Sequence, residues 1–311
     1  MAKNKNENFT DLGLGTKDSV TTYRALNKDG SFNVKKTNVP FFERINFFHT
    51  LISMSWLRFN GFILLSYSII NILFGSIYYL IGVENLTGVQ VTSAFDEFVE
   101  AFFFSSQTIT TLGYGRVAPI GTLANVVAAI ESMLGLLGFA LATGMLYGRF
   151  SRPSAKIKYS SKAVIAPYQD TNGFMFRIVN PQHTQLLEVE ISISLSMRRK
   201  NTGLRDFYLL DLERSKVSFL PYTWTIVHPI THTSPLHEVD QAKSLEKDLE
   251  FIITIKAFDE SFSQVVYSRS SYKASELKWG EKFVNLMETE GDGIKINVSR
   301  LDETEKVGLN Q

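Results

Sequence analysis

The sequence predicts a membrane protein in two parts, an α-helical half with two transmembrane spans followed by an all-β cytoplasmic domain. Three observations carry this reading. Two long runs in the first half are almost free of charge, Lys and Arg cluster on the outer flanks of both runs, and after Pro153 the pattern changes to short alternating stretches. The chain has 311 residues, a length that fits roughly two domains. Lys+Arg number 32 against Asp+Glu 31, a balance that gives no argument for nucleic acid as a partner. There is no Cys, which excludes disulfides and thiolate chemistry. A mean hydropathy near zero is the average of an apolar half and a polar half.

Residues 1–35 are polar and read as a mobile cytoplasmic N-terminus; Gly13-Leu14-Gly15 lacks the strand and helix of a nucleotide fold. In residues 36–57, Phe41, Ile45, Phe48 and Ile52 fall at helical spacing, with Glu43, Arg44 and Asn46 off the stripe. That pattern predicts an amphipathic helix lying along the inner membrane interface. Trp56 and Arg58 suit the headgroup boundary.

Residues 58–150 make the transmembrane part. Residues 59–82 carry no charge and are long enough to cross a bilayer. Residues 117–148, with Glu131 as their only charge, make a second span. A soluble chain with two buried core helices would need a large apolar partner that the rest of the sequence does not supply. A cleavable signal peptide is not expected, because the first span begins too deep and no processing site follows it. Basic residues from Lys3 to Arg58 precede the first span, and Arg149, Arg152, Lys156, Lys158 and Lys162 follow the second. Between the spans Arg116 stands beside Glu84, Asp96, Glu97 and Glu100. The positive-inside rule therefore places both termini in the cytoplasm.

Between the spans, residues 96–109 read as a helix with an acidic first turn, too short to cross and hence re-entrant. Thr-Leu-Gly-Tyr-Gly follows at residues 111–115. Non-helical backbone at membrane depth survives only when buried in protein or lining a watery cavity. Four copies of such a run can line a narrow pore whose carbonyl oxygens replace the hydration shell of potassium. Thr111 adds its hydroxyl as the innermost ligand. Leu112, Gly113, Tyr114 and Gly115 complete the run, the glycines permitting the backbone angles and Tyr114 wedging the ring open. A lone Gly-Tyr-Gly also makes plain turns; here the short helix before it and the span on either side give it its force.

At these residues the sequence resembles a prokaryotic inward-rectifier potassium channel. The runs FFFSSQTITTLGYG, GMLYGRFSRPSAKIKYSSKAVIA, WTIVHPITHTSPL and YSRSSYKASELKWG carry the likeness, which spans roughly residues 36–300. The resemblance implies a homotetramer with a slide helix, outer helix, pore helix and filter, and inner helix, and an immunoglobulin-like sandwich extending the pore. It implies no cofactor, potassium as the permeant ion, and the bacterial inner membrane as the location.

The resemblance also assigns roles along the inner helix. Phe139, Thr143 and Tyr147 fall on the face that lines the conduction path. Phe139 stands where strong rectifiers carry Asp or Asn, which removes the carboxylate that holds a blocking cation. Phe139 and Tyr147 resemble hydrophobic constrictions that close by dewetting, Tyr147 being the better placed because it lies at the cytoplasmic end. Gly135 and Gly144 match hinge positions, although Gly135 and Gly138 serve close helix packing equally well. Glu131 at membrane depth is a functional candidate, either bonded to the back of the pore helix or raising the local cation concentration. Gln107 replaces a Glu that many members pair with a basic residue after the filter, so Arg116 is expected to lose a buried ion pair.

Arg149, Arg152 and Lys156 follow the inner helix where eukaryotic members bind phosphoinositide. Anionic lipid is therefore one reading and ordinary positive-inside topology the other.

Residues 151–311 show several short alternating runs, such as 188–197, 250–258 and 264–272, separated by DTNG, RKNTG and EGDG, which predicts a β-sandwich. By resemblance, residues 257–262 form a constricting loop. Ala257 stands in it where Gly is usual, Phe258 follows, and Asp259 and Glu260 are candidates for a cation-attracting ring, with plain solvated loop acids as the other reading. His228 and His232 have zinc-like spacing and His237 lies near, but Pro229 and Pro235 argue against the helix such a site needs. Asn85-Leu86-Thr87 is a glycosylation sequon, without meaning in a bacterium.

An enzyme is excluded by the lack of a Cys nucleophile, a Gly-x-Ser-x-Gly run and a Walker motif. The competing reading is a membrane-anchored ligand or lipid sensor with an inert or weakly selective pore. The intact 111–115 run separates the two, because a sensor needs no such backbone at membrane depth.

Overall fold

The computed structural model describes residues 24–310, apart from 36, 39, 41–46, 91, 152–154, 183, 200–203, 221 and 291–292. The chain divides into two compact units, Thr37–Arg152 and the combination of Met1–Lys36 with Pro153–Gln311.

The helical unit holds α1 (Phe47–Ser53), α2 (Trp56–Ile81), α3 (Ala94–Ile109) and α4 (Gly121–Phe150). Helix α1 covers part of the expected interfacial segment, of which residues 36, 39 and 41–46, with Phe41 and Ile45 of the apolar stripe, lie outside the described residues. The chain breaks at Met54–Ser55 and restarts at Trp56, three residues before the uncharged run begins. With 26 residues, α2 is about 39 Å long, and with 30 residues α4 is about 45 Å, so each exceeds a hydrocarbon core of about 30 Å. Most of their apolar side chains face outward, as expected for surfaces covered by lipid or by neighbouring copies. Helix α2 stops at Gly82, whose φ of +102° turns its N–H back onto the carbonyls of Tyr78 and Tyr79. Helix α3 starts at Ser93, whose hydroxyl accepts from Asp96 N at 3.3 Å, while Asp96 accepts in turn from Thr92 and Ser93. Burial of Phe74, Tyr78, Ala101 and Phe104 joins α2 to α3. A short ribbon, β1 (Leu86–Thr87) with β2 (Ala118–Pro119), ties the segment before α3 to the one after it.

The second unit is an all-β sandwich. Its strands are β3 (Lys158–Tyr159), β4 (Ala163–Tyr168), β5 (Thr171–Val179), β6 (Leu186–Arg198), β7 (Arg205–Leu209), β8 (Lys216–Phe219), β9 (Thr223–Pro229), β10 (Glu250–Asp259), β11 (Gln264–Lys273), β12 (Leu277–Trp279), β13 (Glu281–Phe283), β14 (Met287–Glu290), β15 (Gly293–Ile296) and β16 (Thr304–Lys306), with the short helix α5 (Gln241–Glu246). One sheet runs β11-β10-β6-β7 with β8 also on β6. The other runs β12-β4-β5-β3 with β9 also on β5. The alternation read in 250–258 places Phe251, Ile253, Ile255 and Ala257 inward, and Phe251 stacks on Phe174 of the facing sheet with ring centroids 4.0 Å apart.

Residues 24–35 differ from the expected mobile tail, because they pack on this unit. Leu26 is buried and bridges to Phe32 around Gly30, whose φ is +82°. The buried Glu250 carboxylate accepts from the N–H groups of Ala25 and Leu26 at 3.0 and 3.1 Å. Arg24 pairs with Glu276 at 3.1 Å. A segment with few apolar residues is held here by backbone donors that find a buried anion.

Candidate functional site

Helix α3 ends by folding its last carbonyls into the segment that follows. Gln107 O accepts from Leu112 N at 2.9 Å and from Gly113 N at 3.3 Å, and Thr108 O accepts from Thr111 N at 3.0 Å. The chain then takes positive φ at every second residue, with Thr111 at +57°, Gly113 at +53° and Gly115 at +79°. Alternation in the sign of φ brings successive carbonyl oxygens toward one side of the strand. Thr111 holds this left-handed angle despite its β-branch, a strained conformation that neighbouring structure must impose. Leu112 and Tyr114 are exposed, and nothing lies within 4 Å of a Cβ built on Gly113 or Gly115. One face of this turn is therefore open.

Gln107 makes no ion pair, and the acid that Arg116 meets is a different one, at a partly exposed position. Arg116 pairs with Glu100 of α3 and donates to Gly88 O at 3.2 Å. Gln107 supports the turn through its backbone carbonyl instead. Glu100 lies two helical turns before Gln107 on the same face, so the sequence held a signal for this partner in the spacing.

Glu131 lies behind the turn. Its Oε2 is 2.7 Å from the hydroxyl of Tyr78 in α2, and its Oε1 is 2.5 Å from that of Ser105 in α3. The first of its two expected roles, a bond to the back of the short helix, matches this geometry. Tyr78 and Asn71 escaped the sequence reading. Their signal was two polar side chains seven residues apart, hence on one face, in an uncharged span.

Of its two expected roles, hinge and close packing, Gly135 has the contacts of the second. A Cβ there would lie 2.0 Å from Ile109 O, so α4 touches the backbone of α3 just before the 111–115 turn. Gly138 and Gly144 have open space around them, so within this chain the close packing expected at Gly138 does not occur. Phe139 and Tyr147 are each 74% exposed and share an exposed face with Thr143.

Arg149, read from the sequence either as a lipid contact or as an ordinary topology charge, is engaged within the helical unit. Its guanidinium donates to Leu51 O at 2.9 Å and Met54 O at 2.8 Å, capping α1, and lies over the rings of Trp56 and Phe59 at 4.8 and 4.5 Å. Lys156, in the other unit, is exposed, and Arg152 lies outside the described residues.

The expected constriction differs in the same way. Ala257, Phe258 and Asp259 belong to β10, and Asp259 is 3% exposed. Its carboxylate accepts from Ser261 N at 2.9 Å and Phe262 N at 3.2 Å, which makes it a turn-forming residue and not a member of an open acidic ring. Glu260 is exposed. Among the described residues no group of three metal-ligating side chains occurs. His228 is buried between Asp211 O at 2.6 Å and Ser234 Oγ at 2.7 Å, while His232 and His237 are exposed.

Known proteins place this arrangement. Residues 157–311 match the family model described as inward rectifier potassium channel C-terminal domain, and residues 63–152 match the one described as ion channel. The chain is 33% identical over 285 residues to the inward rectifier potassium channel Kirbac3.1 of Paramagnetospirillum magnetotacticum, covering 90% of this chain and 94% of that one. It is 28% identical to G protein-activated inward rectifier potassium channel 2 of Mus musculus, covering 93% and 73%. With channel 3 of Mus musculus the identity is 27% over 91% and 78%. Two membrane-length helices flank a re-entrant helix and turn, a β-sandwich follows, and the likeness runs through both, so the chain belongs to the inward rectifier potassium channel family.

Proposed function

We propose that four copies of the chain surround a common axis and conduct potassium through carbonyl cages built by residues 111–115. The observation that carries this is the alternation of positive φ at Thr111, Gly113 and Gly115 directly after a helix whose last carbonyls hold the turn. Each ion sheds water at the turn, exchanges it for carbonyl oxygens and the Thr111 hydroxyl, and is pushed on by the next. In this reading Gln107 and Arg116 hold the filter, Arg116 through Glu100. Phe139, Thr143 and Tyr147 line the inner path, with Tyr147 as the constriction that dewets. Gly144, with open space around it, is the remaining hinge candidate.

The β domain and both termini lie on the cytoplasmic side by the charge asymmetry of the flanks. Movement of the sandwich biases the inner helices between closed and open arrangements. Anionic lipid shifts that equilibrium through Lys156 and its basic neighbours, while Arg149 acts inside the protein as the cap of α1.

Rubidium uptake into liposomes holding the purified protein tests this. Uptake that sodium does not replace and barium blocks is expected. Gly113→Ala, which forces a Cβ onto a left-handed backbone, abolishes it. Uptake unchanged in Gly113→Ala overturns the filter assignment. Repeating the assay with and without phosphoinositide tests the lipid arm.

A further inference from the structure

Four polar side chains meet at membrane depth behind the filter turn, all within the helical unit. Asn71 and Tyr78 come from α2, Ser105 from α3 and Glu131 from α4, and none exceeds 1% exposure. Asn71 Nδ2 donates to the carbonyl of Tyr67 at 2.7 Å. A carbonyl only accepts, so the amide orientation is fixed and Asn71 Oδ1 faces Ser105. Ser105 Oγ lies 3.2 Å from that oxygen and 2.5 Å from Glu131 Oε1. The Tyr78 hydroxyl lies 2.7 Å from Glu131 Oε2.

Counting protons decides between two states. A serine hydroxyl carries one proton. If Glu131 is ionised, Ser105 faces two acceptors with one proton, and a buried amide oxygen or a buried carboxylate oxygen goes short. If Glu131 carries a proton on Oε1, every group is satisfied in one ordered chain. Glu131 donates to Ser105 Oγ, Ser105 donates to Asn71 Oδ1, and Tyr78 donates to Glu131 Oε2.

We propose that Glu131 is a neutral carboxylic acid acting as a hydrogen-bond donor, and that this chain is a clamp positioning α3 against α2 and α4. Ser105 lies two turns before the filter on the helix that carries it, so the clamp sets where the filter turn begins. Its consequence for conduction rests on the filter reading above; its protonation does not.

Infrared difference spectroscopy of the full-length protein in liposomes at neutral pH tests the proton directly. Wild type minus Glu131→Gln is expected to show the carbonyl stretch of a protonated, hydrogen-bonded carboxylic acid. Ser105→Ala removes the acceptor and shifts that band to higher frequency. Gln offers an N–H donor toward Ser105 and a carbonyl acceptor toward Tyr78 in the same shape, so Glu131→Gln is expected to keep rubidium uptake within about twofold of wild type. Glu131→Ala, which breaks the chain at its centre, loses it. Absence of the band, a band unmoved by Ser105→Ala, or a folded tetrameric Glu131→Gln that fails to conduct overturns the proposal. If wild type itself carries no rubidium, the filter reading fails, and the spectrum still decides the proton.

Discussion

Replacing Gly135 by alanine puts a methyl group where the backbone of α3 already lies. The added Cβ would sit 2.0 Å from Ile109 O, 2.8 Å from Ile109 C and 3.0 Å from Ile109 Cγ1. The nearest atom is a main-chain oxygen at the end of a helix and cannot rotate away, so α4 must retreat from α3. Overpacking of this kind costs about 3 kcal/mol, at the upper end of the usual range. Alanine in place of glycine in a helix returns about 1 kcal/mol. The net loss is about 2 kcal/mol, or about a thirtyfold shift in the folding equilibrium. Gly144→Ala provides the control, because nothing lies within 4 Å of its Cβ and only the helix gain remains. Thermal unfolding of the purified protein and rubidium uptake are measured on both. Gly135→Ala is expected to unfold earlier and conduct less, with Gly144→Ala at least as stable as wild type. If the two variants unfold together, the contact between α4 and Ile109 is not close and the packing assignment fails.

Three further outcomes follow from contacts elsewhere. Arg149→Ala removes two charge-assisted bonds to Leu51 O and Met54 O and the stacking on Trp56 and Phe59, for a loss of about 3 kcal/mol in thermal or denaturant unfolding. Lys restores less than half of it because it lacks the planar fork, and an Arg149→Lys protein as stable as wild type would contradict this account. Burial holds the His228 imidazole below its ordinary value of 6.5. The unfolded chain therefore takes up the proton first, and the stabilising contribution is complete above about pH 6.5 and falls as pH drops below it. Urea unfolding of the full chain should show that slope, flattened in His228→Gln; an identical slope in both sinks the assignment. Glu250→Ala leaves the buried N–H groups of Ala25 and Leu26 without their acceptor, a loss of about 2 kcal/mol. Limited proteolysis at Arg24 and Lys28 should speed up by about tenfold or more, and cleavage at the wild-type rate would mean residues 24–35 are held by other contacts.

Periodicity and charge made much of this protein legible in its sequence. An uncharged run of membrane length has few folded states besides a helix, so α2 and α4 could be placed from composition and α3 from its acidic start and short length. Alternation marked β10 and β11, because a strand with one buried face must repeat every two residues. Strand β4 was missed for the converse reason. It carries the continuous apolar run Ala163-Val164-Ile165-Ala166, buried on both faces, and shows no alternation. The Thr-Leu-Gly-Tyr-Gly run was legible because two glycines at alternate positions permit the φ values that the turn adopts.

What the tertiary structure decided was partnership. Residue types announce that Arg116, Arg149, Glu131 and Asp259 need counterparts, but each counterpart lies far along the chain or in a backbone group that every residue carries. Arg116 takes Glu100, Arg149 takes the carbonyls of Leu51 and Met54, and Asp259 takes the N–H groups of its own turn. Gly135 reads alike as hinge or as contact until the Ile109 carbonyl is placed against it. Helix and strand formation follow from local pattern and solvent. Which buried polar group meets which depends on how the elements cross, and that geometry exists only after packing.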